Sequence, residues 1–310
     1  MMGTVWAAAG WSSSVSASSK IPVSTKPVNG AVASSQRLDP SDLTPGVQMY
    51  RIDYWSQNVQ VEALLTEPVK SGHYPLLVSL HGGDMLPSLH WNFGYTPWMA
   101  GRLASPQVVQ LYPEYQGYLG SADMTGGIRT DFINIQDAMK IAYEFGDIQM
   151  NDTYVLGYSL GGGLALMTAA WDHQVRAVVA VSPFVGLTDA VEWARAHPKL
   201  GAPRLFPHQT QQITTIYGNN IHSLLFRQRS PNPQTIHAPV LLLQGTADPN
   251  IVWQTAALFA EQMRHDHRMV RLMLYPGGHH GLKGRHLSAS TRAIRGWFKK
   301  YGLDFNFRGV

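Results

Sequence analysis

The segment Gly157-Tyr158-Ser159-Leu160-Gly161 follows the short apolar run Thr153 to Leu156 and precedes a small-residue stretch from Gly161 to Ala170. G-x-S-x-G therefore falls at a predicted strand-to-helix turn, the context in which the pattern carries chemistry. A serine on so tight a turn takes strained backbone angles that push its Oγ out above the sheet, and flanking glycines let strand and helix approach each other. The N-terminus of the helix favours developing negative charge. Ser159 is accordingly the candidate nucleophile.

A hydroxyl is a poor nucleophile at neutral pH and needs a base that is itself oriented by an acid, here expected downstream in the order Ser, Asp, His. Asp248 follows the predicted buried strand Val240 to Gln244, in the loop Gly245 to Val252. The pair His279-His280 follows the predicted strand Val270 to Tyr275 through Pro276-Gly277-Gly278. Both loops lie beyond the carboxyl end of a strand, and one histidine of the pair is the candidate base. The tetrahedral intermediate also needs donors for its oxyanion. The backbone N–H of Leu160 is one candidate, and that of Gly83, in His81-Gly82-Gly83 after the predicted strand Leu76 to Leu80, is the other. His81 itself reads as a structural hydrogen-bonding residue at the edge of a substrate pocket. The aromatic segment His90 to Trp98, with Trp91 and Phe93, and Tyr158 beside the nucleophile, either line that pocket or pack a long loop onto the core.

Outward from this centre the chain alternates strands and helices, which predicts an α/β architecture with a mostly parallel central sheet and helices on both faces. Val47 to Ile52 and Val59 to Leu65 predict an antiparallel hairpin at the sheet edge, and Val108 to Leu111 and Ala177 to Val181 predict further buried strands. Phe132 to Glu144 predicts a helix capped by Asp131, with other helices at Gly161 to Trp171, Trp253 to Arg264 and Ser288 to Tyr301. Residues 185–237, rich in Pro, His and Gln, predict an irregular or helical insertion within a single domain spanning 46–310. Residues 1–45 predict a disordered tail, since Ser, Pro, Val and Thr dominate there and bury little. Its first residues are only weakly signal-like, with no Lys or Arg before Lys20, so secretion stays open and the compartment is not assigned.

Composition narrows the function classes. The 310 residues are 45% hydrophobic but only 14% charged, with a net charge of +4, too small a balance for a protein that tracks nucleic-acid phosphates. The absence of cysteine excludes disulfide frameworks, thiolate zinc sites and cysteine nucleophiles. Thirteen histidines show no H-E-x-x-H or compact ligand spacing, so no metal and no cofactor are expected. No apolar run approaches the ~18 residues of a membrane span. Basic residues gather after Lys283, where Ile294, Trp297, Phe298 and Tyr301 mark the apolar side of a terminal helix; its basic side is a solvated face or, alternatively, a contact with anionic membrane.

Taken together, Pro75 to Gly83, Tyr112 to Gly117, Asp131, Gly157 to Gly162, Pro239 to Asp248 and Tyr275 to Gly281 resemble the α/β-hydrolase fold, closest to the catalytic domain of the prolyl oligopeptidase family and related esterases. The resemblance runs from about Tyr50 to Tyr301. The family's last motif usually reads G-H-G, which implies His280, followed by Gly281, as the base, with His279 where the family tends to have Gly. Gln116 stands where the family often has Arg. The family's large peptidases place a β-propeller before this domain, and the residues ahead of it here are too few to form one. The resemblance thus implies a serine hydrolase cleaving carboxylic esters, with a small ester or short peptide as substrate. A serine peptidase or acyl-peptide hydrolase is the alternative within enzymes, and a non-catalytic scaffold the alternative outside them. Dienelactone hydrolases and dehalogenases, similar in fold, use Cys and Asp where this chain has Ser159.

Overall fold

A computed structural model describes residues 23–89, 94–119, 124–144, 148–198 and 206–306. Its elements in chain order are β1 (Val32–Leu38), β2 (Val47–Ser56), β3 (Val59–Pro68), β4 (Tyr74–Leu80), β5 (Ser88–Leu89), α1 (Pro97–Leu103), β6 (Val109–Pro113), β7 (Met124–Thr125), α2 (Ile128–Glu144), β8 (Ile148–Tyr158), α3 (Leu160–Trp171), β9 (Val175–Val181), α4 (Leu187–Ala196), α5 (Phe206–Tyr217), α6 (Leu224–Arg227), β10 (Val240–Gly245), α7 (Trp253–His265), β11 (Val270–Tyr275) and α8 (Leu287–Lys300). Nine strands form one sheet in the order β1-β2-β3-β6-β4-β8-β9-β10-β11. Strands β1, β2, β3 and β6 pair antiparallel, and every pairing from β6 through β4 to β11 is parallel.

The parallel half is apolar on both faces. In β10, Val240 and Leu242 pack into one layer while Leu241 and Leu243 pack into the other. The first layer is covered by α2, α3 and α7 through residues such as Ile135, Leu164 and Phe259, and the second by α1 and α8 through Leu103, Ile294 and Phe298. The predicted apolar side of the terminal helix is thus the side that closes the second layer, leaving its lysines and arginines to solvent. Among the described residues no helix is long and apolar enough to cross a membrane.

Two expectations are corrected. The predicted tail through residue 45 contains β1, whose backbone pairs with β2 from Val32 opposite Tyr54 to Leu38 opposite Met49. Only Val32, Ala33 and Leu38 of this strand are apolar, and an edge strand is held largely by main-chain hydrogen bonds that composition does not report. Residues 1–22 of the predicted tail lie outside the described residues. The predicted cap Asp131 lies inside α2, its N–H already bonded to the Gly127 carbonyl at 3.1 Å and its side chain buried. The segment between β9 and β10 carries the helices α4, α5 and α6 joined by irregular stretches, with α4 packed against α5, α6 and α7.

Candidate active site

The β8-to-α3 turn places Ser159 at φ 56° and ψ −120°, outside the regions open to an unstrained L-residue. Neighbouring glycines make the turn possible. A Cβ on Gly157 would lie 2.0 Å from the Gly161 carbonyl oxygen, and one on Gly161 would lie 2.3 Å from the Leu80 carbonyl oxygen, so strand, turn and β4 meet backbone to backbone. The Ser159 N–H donates to the Val181 carbonyl at 2.9 Å, which anchors the turn to β9. Leu160 opens α3, where no carbonyl of the preceding turn is available to its N–H. The helix has no side-chain cap at Ser159, which leaves its positive end open to an anion.

The loop after β4 comes against this turn. The Cβ direction of Gly82 points at Ser159, 3.1 Å from its Cβ and 3.6 Å from its Oγ. Gly83 lies against the Tyr118 hydroxyl, which accepts the N–H of Asp84 at 2.7 Å. His81 is buried, with its ring stacked on Tyr115 at a centroid distance of 4.0 Å. The ring turns into the interior, although its own backbone forms the turn. Tyr158 is half-buried and in contact with the α8-side layer, and burial pushes its hydroxyl pKa up. Trp91 and Phe93 lie outside the described residues.

At the ends of β10 and β11, Asp248 and His280 meet. His280 Nδ1 lies 2.9 Å from Asp248 Oδ2 and 3.1 Å from Oδ1. Asp248 accepts three further bonds, from the N–H groups of Asn250 at 2.8 Å and Ile251 at 3.0 Å and from Gln244 Nε2 at 3.0 Å. Burial pushes the Asp248 carboxyl pKa up, but the bond and charge of His280 together with the two backbone amides outweigh it and hold the carboxyl below its usual range. With Nδ1 occupied by the carboxylate, Nε2 is the ring nitrogen left for a proton acceptor's work. His279 is exposed, and no hydrogen bond joins it to Asp248.

The histidine loop is tied back toward Ser159. The Gly281 N–H donates to Ser182 Oγ at 3.0 Å, and Ser182 directly follows the Val181 that receives the Ser159 N–H. Ser182 sits at φ 47° and Gln244 is fully buried at the end of an otherwise apolar strand. Neither residue is singled out by the sequence reading. Gln244 carries a legible signal, a lone amide closing Val240-Leu241-Leu242-Leu243, whereas Ser182 carries none. Among the described residues no group of three His, Asp or Glu side chains is placed to hold a metal ion. The arrangement suits nucleophilic chemistry: a half-buried serine on a strained turn at the uncapped start of α3, and, at neighbouring strand ends, a histidine held by an ionised carboxylate.

Residues 120–303 match the Prolyl oligopeptidase family. The chain is 25% identical over 267 residues to the uncharacterized peptidase YtmA of Bacillus subtilis (strain 168), which covers 82% of this chain and 94% of that protein. Among solved structures it resembles an acylaminoacyl peptidase of Pyrococcus horikoshii, with TM-score 0.65, 15% identity, and coverage of 86% of this chain and 44% of that one. It also resembles an acetyl xylan esterase from Paenibacillus sp. R4, with TM-score 0.64, 18% identity, and coverage of 86% of this chain and 88% of that one. These likenesses show the α/β-hydrolase fold that the sequence predicts.

Proposed function

Because this chain belongs to the prolyl oligopeptidase family and is a serine hydrolase, we propose that it cleaves carboxylic esters through an acyl-enzyme formed on Ser159. His280 Nε2 takes the proton of Ser159 Oγ as the oxygen attacks the ester carbonyl. Asp248 holds the ring through Nδ1 and stabilises the imidazolium that forms. The oxyanion of the tetrahedral intermediate receives the N–H groups of Gly83 and Leu160. Collapse of the intermediate expels the alcohol, which takes its proton from His280. Water then attacks the acyl-enzyme by the same relay, and the acid leaves with Ser159 restored. The observation that carries this assignment of roles is the contact of His280 with Asp248, which has no counterpart at His279.

Ester over peptide is supported by the acetyl xylan esterase, whose length is matched over 88%, against 44% for the acylaminoacyl peptidase. The second reading, a peptidase or acyl-peptide hydrolase, is favoured by the name of the Bacillus subtilis relative. Purified protein assayed side by side on p-nitrophenyl acyl esters and aminoacyl p-nitroanilides decides between them. A kcat/KM for the best ester at least about 10²-fold above that for the best anilide is the expected result. Preference for the anilides overturns it. In both assays Ser159→Ala is expected to be inactive.

A further inference from the structure

The roles given to Ser159, Gly83 and Leu160 leave open what aims the Gly83 N–H, since a glycine peptide does not orient itself. A trans peptide is planar, and its C=O and N–H point in opposite directions. Whatever holds the Gly82 carbonyl therefore sets the direction of the Gly83 N–H. His81 Nδ1 lies 2.6 Å from the Gly82 carbonyl oxygen. The preceding peptide is held as well, because the Tyr115 hydroxyl donates to the His81 carbonyl at 3.0 Å. Among the described residues no acceptor takes the Gly83 N–H.

The His81 ring is in turn held by a residue distant in sequence. Its Nε2 lies 3.1 Å from Glu114 Oε2, a close polar contact between two buried side chains. Glu114 is fully buried, its other oxygen accepting the Tyr95 N–H at 2.6 Å. Its carboxylate fills the space beside Gly94, at φ 149°, where a Cβ would lie 1.9 Å from Oε2. Among the described residues this buried carboxylate has one backbone donor and one imidazole beside it, and removing either would leave it still less compensated.

We propose that Glu114 is a positioning residue for hydrolysis: by fixing the His81 ring it fixes the Gly82 carbonyl, and through that peptide it aims the Gly83 N–H at the oxyanion. The same carboxylate clamps Tyr95, so the chain segment that leads out of the aromatic stretch is set relative to the oxyanion donors. The inference rests on the reading of Ser159 as nucleophile and Gly83 as donor.

An aim of this kind acts only when the oxyanion exists. Glu114→Gln and His81→Phe, the latter keeping a ring on Tyr115, are each expected to lower kcat per titrated active site by about 30- to 100-fold, somewhat less than loss of an oxyanion donor outright. KM for a p-nitrophenyl ester stays within about threefold, and the Ki of a trifluoromethyl ketone, whose hemiketal oxygen occupies the oxyanion position, rises in parallel with the fall in kcat. A role in stability alone would lower Tm and the fraction of titratable sites while leaving kcat per site and that Ki unchanged, and this result overturns the proposal. The unmodified protein supplies a check that needs no variant to fold. In its crystal structure with the ketone bound, the Gly83 nitrogen is expected about 3 Å from the hemiketal oxygen with the Gly82 carbonyl still on His81; a Gly82 carbonyl turned toward the ligand overturns the proposal. Ser159→Ala separates the two levels. An active Ser159→Ala removes the underlying reading, whereas an inactive one beside a fully active Glu114→Gln removes the inference alone.

Discussion

Asp248, in the loop after β10, and Asp131, in the first turn of α2, are both buried aspartates, and the fold treats them in opposite ways. Asp248 receives His280 Nδ1, Gln244 Nε2 and the N–H groups of Asn250 and Ile251, and its carboxyl is held below the usual range. Neither oxygen of Asp131 has a hydrogen-bond partner among the described residues, and burial, reinforced by the charge of Asp84, pushes its carboxyl well above that range. Burial alone favours the neutral form; only donors keep a carboxylate charged out of water. A histidine can be oriented and stabilised as an imidazolium by the first aspartate and not by the second.

The strongest way to break this contrast is to make Asp248 permanently neutral. On the proposed roles Asp248→Asn keeps the shape of the loop but lowers kcat on a p-nitrophenyl ester by about 10⁴-fold. His280→Ala is expected to cost as much, while replacement of the exposed His279 by Ala costs less than about threefold. Parallel kinetics on the folded variants decide it: a dead His279→Ala beside an active His280→Ala reverses the assignment of the base.

A smaller change removes one donor and leaves the carboxylate in place. Hydrogen bonds to charged groups are worth about 1.5–3 kcal/mol, so Gln244→Leu is expected to raise the Asp248 pKa and lower kcat by about tenfold, read from a pH profile of activity. An unchanged profile would show that His280 and the two amides hold the carboxylate without Gln244.

The smallest expected effect concerns stability and sharpens the contrast with an intermediate case. Asp189 in α4 is buried with one side-chain donor, Gln262 Nε2 at 3.2 Å, and burial raises its carboxyl from 3.8 to about 6. A raised folded-state pKa means that the native protein binds the proton more tightly than the unfolded chain, so stability is lost as pH rises from about 4 to about 6. At about 1.36 kcal/mol per pKa unit the loss above pH 6 reaches at most about 3 kcal/mol. Asp189→Asn should therefore raise Tm by a few degrees at pH 7.5 and leave it unchanged at pH 4. The Asp248 linkage has the other sign: its contribution is present above the ordinary carboxylate range and lost as pH falls through its depressed value. A stability profile of Asp189→Asn parallel to that of the unmodified protein between pH 4 and 7.5 would contradict this.

The sheet was legible because each buried parallel strand announces itself as a short apolar run, and β4, β8, β9 and β10 stand where such runs occur. The turn around Ser159 was legible for a local reason: Gly157, Ser159 and Gly161 are required by contacts within a few residues and with the next strand. Strand β1 was not, because its pairing to β2 belongs to the backbone. The place of Asp131 was not legible either, because an acidic residue before an apolar helix looks the same in sequence whether the helix starts at it or one turn earlier.

What the sequence alone determined is the alternation of buried strands and helices around the parallel sheet, the strained serine turn, and the Ser, Asp, His order along the chain, all of which follow from patterns local to each segment. Tertiary structure decided which histidine meets Asp248, that Gln244 and Ser182 brace the two loops, and that Glu114 stands behind His81. The physical reason is range: periodicity and turn chemistry act over a few residues, whereas the charge of a buried carboxylate and the direction of a peptide N–H depend on groups that only folding brings within about 3 Å.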